Sequence, residues 1–187
     1  MLFRSGFSPS GKVLYTYAQG DIYSTSSADG VTWSAPEPLP FPINTDSTEK
    51  GFSITANGTM AIFASRRAGG MGGLDLYEAY RQKDGSWGKL RNLGPAINTE
   101  HNEESPYIDP TGRVLFYSSN GKRGMGGYDV FRSTLINEKT GSWSEPENLG
   151  YPINTPDDDL YFIGSKVEKR GYFASVRDRS EEHTSEL

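Results

Sequence analysis

Two glycine-rich segments carry residue types that could hold a phosphate group. Residues 69–73 read Gly-Gly-Met-Gly-Gly, and residues 124–127 read Gly-Met-Gly-Gly. A P-loop needs Gly-Lys-Ser/Thr opening a helix, and neither segment has that continuation, because strand-like residues follow both. We therefore predict that the glycines adopt positive φ in a tight connection. We also expect Asp75 and Asp129 to accept hydrogen bonds from the backbone N–H groups of these loops.

Four basic side chains flank the two loops, and we expect all four to be exposed. They are Arg66, Arg67, Lys122 and Arg123. Together they could form a basic rim for an anionic partner. The alternative, a merely solvated edge, is the more common role of such groups.

The sequence contains few residues of the types that commonly catalyse reactions. His101 is the only histidine before residue 179, and the chain contains no cysteine. A Ser-His-Asp triad, or a metal bound by histidine or thiolate, therefore has little to build on. The 24 acidic residues leave a carboxylate pair open, but the run Asp157–Asp159 lacks the alternation and glycine of an EF-hand loop. We expect that run to be solvated or to cap backbone groups, and we predict no catalytic residue, no cofactor and no metal.

Residues 26–33 read Ser-Ser-Ala-Asp-Gly-Val-Thr-Trp. This segment resembles the Asp-box turn of sialidase-type propellers in its Gly-x-Thr-Trp half. The acid, Asp29, stands one place later than that pattern asks. An Asp-box is a folding device and not a catalytic group, so the segment predicts a hairpin. It leaves a sialidase-like, carbohydrate-active propeller as the alternative function.

Three residue types recur at a fixed spacing. The aspartates stand 54 residues apart, and the tryptophans and asparagines stand 54 and then 56 apart. The sets are Asp21, Asp75 and Asp129; Trp33, Trp87 and Trp143; and Asn44, Asn98 and Asn154. A period of this size with strand-like pieces inside it is typical of propeller blades or related arrays. We predict that each tryptophan packs between outer strands and that each asparagine bonds backbone within its own crossover.

Each repeat contains four strand candidates. The first, near residues 52–54 and 107–108, ends at an Asn-Gly or Pro-Thr-Gly turn. The second is a continuous apolar run, typical of a strand buried on both faces. The third follows the glycine-rich loop, which the first repeat lacks, and the fourth contains prolines that favour a sheet edge. The sequence thus predicts an all-β fold of antiparallel four-stranded blades. The expected blades are residues 1–45, 46–99, 100–155 and, incomplete, 156–178.

The fourth repeat loses its pattern near Asp178. Its second strand closes at Ser175, where earlier repeats continue into a glycine-rich loop and the recurring aspartate. Residues 179–187 resemble the translation of a sequencing-library adapter, and a charged natural tail is the alternative. We interpret residues 179–187 as non-native. Since a propeller closes with roughly four to eight blades, the remainder is about three and a half blades of an incomplete propeller.

The composition of the chain indicates which classes of partner and which surroundings are not expected. The chain has 187 residues and a net charge of −5, so nonspecific nucleic-acid binding is not expected. The lack of cysteine fits either a reducing or an oxidising compartment. No apolar run approaches membrane-spanning length, and residues 1–7 lack the regions of a signal peptide.

The repeats resemble a known family in three motifs. These are Ser-Pro-Ser-Gly-Lys at 8–12, Val-Leu-Phe-Tyr-Ser-Ser at 114–119 and Gly-Met-Gly-Gly-Tyr-Asp-Val-Phe at 124–131. They resemble PD40, or WD40-like, repeats related to the TolB propeller, in the variety found in envelope proteins that often carry an OmpA-like domain. The resemblance covers residues 8–178. It implies a periplasmic or outer-membrane-associated scaffold, without catalysis, that presents a face or channel to a protein or cell-wall partner.

Two arrangements at the propeller axis would separate the functional alternatives. Arginines converging on the axis beside a Tyr-Glu pair would favour the glycosidase. A broad groove lined by tyrosine and asparagine would favour protein binding.

Overall fold

The strands form separate antiparallel sheets in sequence order. The computed structural model describes residues 5–8, 10–165 and 170–175, and no helix occurs within these ranges. Blade 1 contains β1 (Ser5–Phe7), β2 (Val13–Ala18), β3 (Asp21–Ser26) and β4 (Glu37–Pro38). Blade 2 contains β5 (Glu49–Ile54), β6 (Met60–Ser65), β7 (Asp75–Arg81) and β8 (Trp87–Asn92). Blade 3 contains β9 (Glu103–Ile108), β10 (Val114–Ser119), β11 (Asp129–Asn137), and β12 (Ser142–Trp143) and β13 (Glu147–Asn148), which both pair with β11. Blade 4 contains β14 (Asp159–Ser165) and β15 (Arg170–Ser175). The predicted all-β fold of antiparallel four-stranded blades is confirmed.

The second strands are the most apolar, but their burial depends on their neighbours. All six residues of β6 are buried, as a strand between two covered faces should be. In β2 only Tyr15 is buried. The prediction of burial on both faces therefore holds for blade 2 and fails for blade 1, because among the described residues no sheet covers the outer face of blade 1.

The first strands begin earlier than predicted, at an acidic residue. Glu49 and Glu103 open β5 and β9 and are completely buried. Glu103 accepts hydrogen bonds from the Thr99 backbone N–H at 2.8 Å and from the Thr99 hydroxyl at 2.8 Å. It also accepts one from the Ser119 hydroxyl at 2.7 Å. The acid therefore ties the incoming crossover to the second strand of its own blade. Asp159, at the equivalent position of blade 4, is buried and accepts hydrogen bonds from the Thr155 N–H and hydroxyl at 2.6 and 2.9 Å, so it caps backbone and is not solvated.

The fourth strands match the prediction only in blade 2. There β8 runs without interruption from Trp87. In blade 1 it shrinks to Glu37–Pro38, and Trp33 lies outside any strand. In blade 3 it is divided into β12 and β13 around Pro146. Proline supplies no backbone N–H, so the ladder at this outer edge is broken.

The recurring asparagines reach much farther than predicted. Each side chain bonds the backbone of the residue that follows the recurring aspartate, 22 or 24 residues earlier in the chain. The pairs are Asn44 with Ile22, Asn98 with Leu76 and Asn154 with Val130. The predicted bond to backbone within the crossover occurs at Asn44, whose Nδ2 also donates to the Leu39 carbonyl oxygen at 2.9 Å, but the longer-range contact was not predicted. The asparagine thereby fastens the crossover onto the third strand of the blade that the chain has just left.

Trp87 and Trp143 each belong to an apolar cluster shared with the preceding blade, a contact that the sequence did not predict. The ring of Trp87 also contacts Phe52 of its own blade. Trp87 lies in an apolar cluster with Tyr15 and Ile43 of blade 1. Trp143 lies in a cluster with Ile62 and Leu76 of blade 2, among other residues. The core of the molecule is therefore the set of interfaces between consecutive blades. Trp33 is only half-buried, against Phe7 of its own blade.

Residues 179–187, which we interpret as non-native, lie outside the described part of the chain. Within the described part, no helix is long and apolar enough to cross a membrane.

Candidate functional site

A cavity of about 340 Å³ lies where the first strands of the four blades converge. We call it the axial groove. Its walls are the first strands β1, β5, β9 and β14 together with part of β2. The lining residues are Gly6, Phe7, Tyr15, Thr16, Tyr17, Ile22, Gly51, Phe52, Ser53, Ile54, Ser105, Pro106, Tyr107, Ile108, Pro110, Tyr161, Phe162 and Ile163. The volume is at the lower end of the range of small-ligand sites.

The first strands carry a repeated irregularity at the groove wall. Gly51, Ser105 and Tyr161 occupy equivalent positions and have positive φ, at 60°, 54° and 58°. The pairing register shifts beside each of them, as in a β-bulge. A non-glycine residue in this conformation costs about 1–3 kcal/mol, and such strain concentrates at functional sites. At Gly51 a side chain would also be crowded, since an added Cβ would lie 3.0 Å from Cδ of Pro106.

Polar groups at the groove are few and mostly tie neighbouring blades together. The Tyr107 hydroxyl donates to the Gly164 carbonyl oxygen at 2.7 Å, and the Ile108 N–H donates to the Ser53 hydroxyl at 2.9 Å. The Ser105 hydroxyl is buried and has no hydrogen-bond partner within the described residues. A buried unsatisfied hydroxyl is uncommon and calls for an explanation such as a bound water or ligand.

Two tyrosines of the groove, Tyr15 and Tyr107, have a raised pKa and are neutral at ordinary pH. Burial raises the pKa of Tyr15, although Arg81 opposes the effect. Burial, reinforced by the Asp109 carboxylate, raises the pKa of Tyr107. Both hydroxyls therefore act as hydrogen-bonding groups and not as bases.

Charged groups lie beside the groove and do not line it. Lys50 and Glu104 precede two of the bulged positions and form an ion pair of 2.6 Å between blades 2 and 3. Within the described residues, no cluster of three or more histidine or acidic side chains could hold a metal ion. The groove can therefore stack on and desolvate an apolar or aromatic surface, and its described lining residues include no acidic or basic side chain.

The glycine-rich loops lie on a different surface, at the crossovers between blades. An added Cβ at Gly72 would lie 2.3 Å from the Glu100 carbonyl carbon, and one at Gly126 would lie 2.3 Å from the Asp157 carbonyl oxygen. Neither glycine has positive φ. Glycine is needed because each loop closely contacts the crossover that leads to the next blade, and the predicted positive φ occurs only at Gly69 of the two segments.

Two of the recurring aspartates accept hydrogen bonds from the backbone of these loops. Asp75 accepts a hydrogen bond from the Met71 N–H at 2.5 Å, and Asp129 accepts one from the Met125 N–H at 2.7 Å. The expectation that they bind loop backbone agrees with this geometry. Asp21 stands at the same register position, opposite Ala18. Blade 1 has no glycine-rich loop there, and a tight turn at Gln19 and Gly20 takes its place.

The four basic residues divide into two exposed and two inserted side chains. Arg66 and Arg123 are exposed. Arg67 instead donates to the carbonyl oxygens of Pro42 and Ile43 at 2.9 and 2.7 Å. Burial lowers the pKa of Arg67, partly offset by Glu49.

The inserted lysine repeats this contact in the next blade. Lys122 donates to the Ala96 carbonyl oxygen at 2.9 Å, and Ala96 is equivalent to Pro42 in the repeat. Burial lowers the pKa of Lys122. The expectation that all four basic residues are exposed is thus wrong for Arg67 and Lys122, which fasten a blade to the preceding crossover.

The segment that resembles an Asp-box forms a turn after β3. Asp29 accepts hydrogen bonds from the Val31 and Thr32 N–H groups at 2.9 and 2.8 Å and from the Ser27 hydroxyl at 3.0 Å. The hydrogen bonds from the two backbone N–H groups have the largest effect on the Asp29 carboxyl and, together with the bond from Ser27, lower its pKa. The carboxylate is used to hold the turn, as the prediction of a hairpin requires.

The residues of the axial groove were not among the sequence candidates. Gly51, Ser105 and Tyr161 have the same 54- and 56-residue spacing as the recurring asparagines but differ in residue type. A search for identical residues passes over such a position. Aligning the repeats and looking for a first-strand position at which the residue type changes from repeat to repeat would have identified these three residues.

Comparison with solved structures identifies similar β-propeller folds. TolB from Acinetobacter baumannii superposes with a TM-score of 0.60 at 14% identity, over 95% of this chain and 38% of that one. A TolB structure from Agrobacterium tumefaciens gives 0.51 at 17% identity, over 98% and 73%. An alpha-L-arabinofuranosidase from Lactobacillus brevis gives 0.58 at 13% identity, over 97% and 66%.

The chain has the fold of part of a β-propeller. It spans well under half the length of the A. baumannii TolB. No protein-family model matches the sequence, and neither does any curated protein sequence. At these identities the likeness concerns the fold alone.

Proposed function

We propose that the chain is a non-catalytic binding or scaffold propeller of the bacterial cell envelope, and that the axial groove receives a protein or cell-wall partner. The envelope setting rests on the resemblance of the repeats to PD40 repeats. The binding role rests on one structural observation. The groove is lined by tyrosine, phenylalanine, isoleucine and proline, with no acidic or basic side chain among its described lining residues.

Such a lining suits recognition better than chemistry. Tyrosine gives a large, rigid contact area together with a hydroxyl that can bond a ligand, at a low cost in side-chain entropy. The bulges at Ser105 and Tyr161 turn the backbone at the groove wall, and the buried Ser105 hydroxyl gives a ligand one unused hydrogen-bonding group. A general acid or base would have to lie within hydrogen-bond reach of a bound substrate, and the described lining residues supply only tyrosines.

A sialidase-like propeller is the second candidate, and the groove argues against it. No arginine lines the groove among the described residues. The adjacent acid, Glu104, is 95% buried at its side chain and is paired with Lys50. The similarity to an arabinofuranosidase is a likeness of fold at 13% identity.

A binding screen tests the first candidate. The chain is immobilised and exposed to a random-peptide display library and to a glycan array that contains peptidoglycan fragments. We expect a retained ligand whose dissociation constant rises about twofold to twelvefold in Tyr17→Ala, since an aromatic contact contributes about 0.5–1.5 kcal/mol beyond its buried area. Tyr151→Ala is the matched control, because Tyr151 is 69% exposed and lies outside the groove. No retained ligand, or equal loss in both variants, contradicts the proposal.

A turnover assay tests the second candidate. The chain is incubated with a fluorogenic sialoside and a fluorogenic arabinofuranoside. We expect no release of the fluorophore above the rate in buffer. Release that scales with protein concentration and is lost in Tyr107→Phe would replace the binding proposal with a glycosidase.

A further inference from the structure

Both glycine-rich loops present a methionine at the same position. Residues 69–73 and 124–127 each contain one residue other than glycine, which is Met71 in the first loop and Met125 in the second. Met71 is 44% exposed and Met125 is 48% exposed. Met60, in β6, is 6% exposed and belongs to the apolar core. The described part of the chain therefore contains two kinds of methionine, one buried and two at the surface.

Backbone hydrogen bonds fasten each loop close to its methionine. The Gly73 N–H donates to the His101 carbonyl oxygen at 2.6 Å, and the Tyr128 N–H donates to Asp158 Oδ1 at 2.9 Å. These bonds add to those that the two methionine N–H groups donate to the recurring aspartates. Both chain neighbours of each methionine are glycines, so no adjacent side chain covers the sulfur. Each loop therefore holds its backbone in place and leaves the methionine side chain open to solvent.

The exposure of these methionines is a property of the loops. Blades 2 and 3 each have a described blade packed on both sides, so neither loop lies at an end of the array. Neither methionine lines the axial groove. The chain has no cysteine, and the susceptibility of sulfur to oxidants follows its exposure. Within the described residues, the sulfur atoms open to an oxidant are thus those of the two loops.

We propose that Met71 and Met125 are a pair of sites for reversible oxidation by a peroxide. A lone pair of the thioether sulfur attacks one oxygen of hydrogen peroxide, so that an S–O bond forms while the O–O bond breaks. The proton of the transferred oxygen passes to the departing hydroxide, which leaves as water. The sulfur loses two electrons and becomes a sulfoxide, and the peroxide is reduced. Methionine sulfoxide reductases return the sulfoxide to the thioether.

Oxidation at these positions changes the surface and leaves the fold intact. A sulfoxide is polar where the thioether was apolar and adaptable. The bonds that hold the loops use backbone groups, which the reaction does not touch. At Met60 the same reaction would place a polar group among Ile108 and Leu115 of the next blade, which belong to the same cluster. The two loops can therefore switch polarity on the surface formed by the crossovers, whereas the core cannot.

Peptide mapping by mass spectrometry after treatment of the whole chain with hydrogen peroxide tests the proposal. We expect Met71 and Met125 each to gain one oxygen atom at least about tenfold faster than Met60, since susceptibility follows exposure. The melting temperature of this oxidised protein should equal that of untreated protein, and methionine sulfoxide reductases should remove both oxygen atoms. In urea-unfolded chain the three methionines should react at similar rates, which shows that the fold protects Met60.

Leucine variants assign the two rapid additions to their sites. Leucine has about the size of methionine but no sulfur, so Met71→Leu and Met125→Leu should each abolish one rapid addition and keep the other. The double variant should show neither. Met60→Leu is the matched control and should keep both. The proposal is overturned if Met60 of the folded protein reacts as fast as Met71 and Met125, if the sulfoxides resist the reductases, or if oxidation of the two loops lowers the melting temperature.

Discussion

The side chain of Asn98 bonds both backbone groups of Leu76, which lies 22 residues earlier in the chain. The Leu76 N–H donates to Asn98 Oδ1 at 2.8 Å, and Asn98 Nδ2 donates to the Leu76 carbonyl oxygen at 3.0 Å. The side-chain amide thus forms with Leu76 of β7 the pair of hydrogen bonds that a neighbouring strand would otherwise form. Because the same bonding pattern recurs at Asn44 and Asn154, it holds each crossover against the blade it leaves.

Replacing Asn98 should show how much this contact contributes. Asn98→Ala leaves the buried N–H of Leu76 without a partner, and such a group costs about 1–3 kcal/mol. The Leu76 carbonyl oxygen keeps its bond from the Leu93 N–H at 3.0 Å. We expect the free energy of unfolding to fall by about 2 kcal/mol, measured by urea denaturation. Asn57→Ala is the control, since Asn57 is exposed and bonds only its own turn; its loss should be below about 1 kcal/mol. Equal losses would contradict the assigned role.

Arg66 and Arg67 are neighbours in sequence with opposite roles. Arg67 lies over the rings of Phe63 and Tyr77 at 5.1 and 5.0 Å and is 3.4 Å from the fully buried Glu49 carboxylate. Arg67→Ala leaves that carboxylate without its cation, which should lower the free energy of unfolding by about 3 kcal/mol or more. Arg66→Ala should change it by less than about 0.5 kcal/mol. Thermal denaturation of the two variants side by side measures the contrast, and a larger effect at Arg66 would reverse the assignment.

Gly69 and Gly72 of one loop allow two reasons for glycine to be tested separately: positive φ at Gly69 and close contact with a neighbouring backbone at Gly72. Gly69 has φ of 86° with open space around it, whereas Gly72 faces the Glu100 backbone. Gly69→Ala should cost about 1 kcal/mol, the strain of a left-handed alanine. Gly72→Ala should cost more than about 2 kcal/mol, because a backbone contact cannot rotate away as a side chain can. Denaturant midpoints of the two variants decide the order; a greater loss at Gly69 would restore the positive-φ explanation for these loops.

Asp109 should make stability depend on pH in acid. Burial raises its pKa, but hydrogen bonds from the Thr111 side chain and from the Val114 and Arg113 N–H groups outweigh burial and lower the pKa from 3.8 to about 2. A depressed pKa stabilises the fold above about pH 4, and this contribution is lost as the pH falls toward about 2.

The measurement is the unfolding free energy of wild type and Asp109→Asn between pH 2 and pH 5. We expect their difference to grow by about 1 kcal/mol across that range, since solvent screens part of the effect. A difference that is constant with pH would show that Asp109 keeps an ordinary pKa when folded.

The sequence predicted the strands and their grouping because those features are local and repeated. An apolar run such as residues 60–64 between two turns is typical of a short buried strand, and the repeat groups it with three further strand candidates in each unit. The predicted loop-holding role of Asp75 and Asp129 also agrees with the structure, because donor and acceptor are four residues apart. Two contacts were not predicted: Trp87 belongs to a cluster that includes residues of blade 1, and the bonding partner of Asn98 lies 22 residues away.

By itself the sequence determined that the chain is an array of antiparallel four-stranded blades, because period and strand pattern are properties of the chain read in order. Only the tertiary structure decided which side chains meet. It turned Arg67 and Lys122 inward, and it brought Gly51, Ser105 and Tyr161 together along the wall of one groove. The physical reason is that these contacts join residues of different blades, whose positions depend on how sheet packs on sheet.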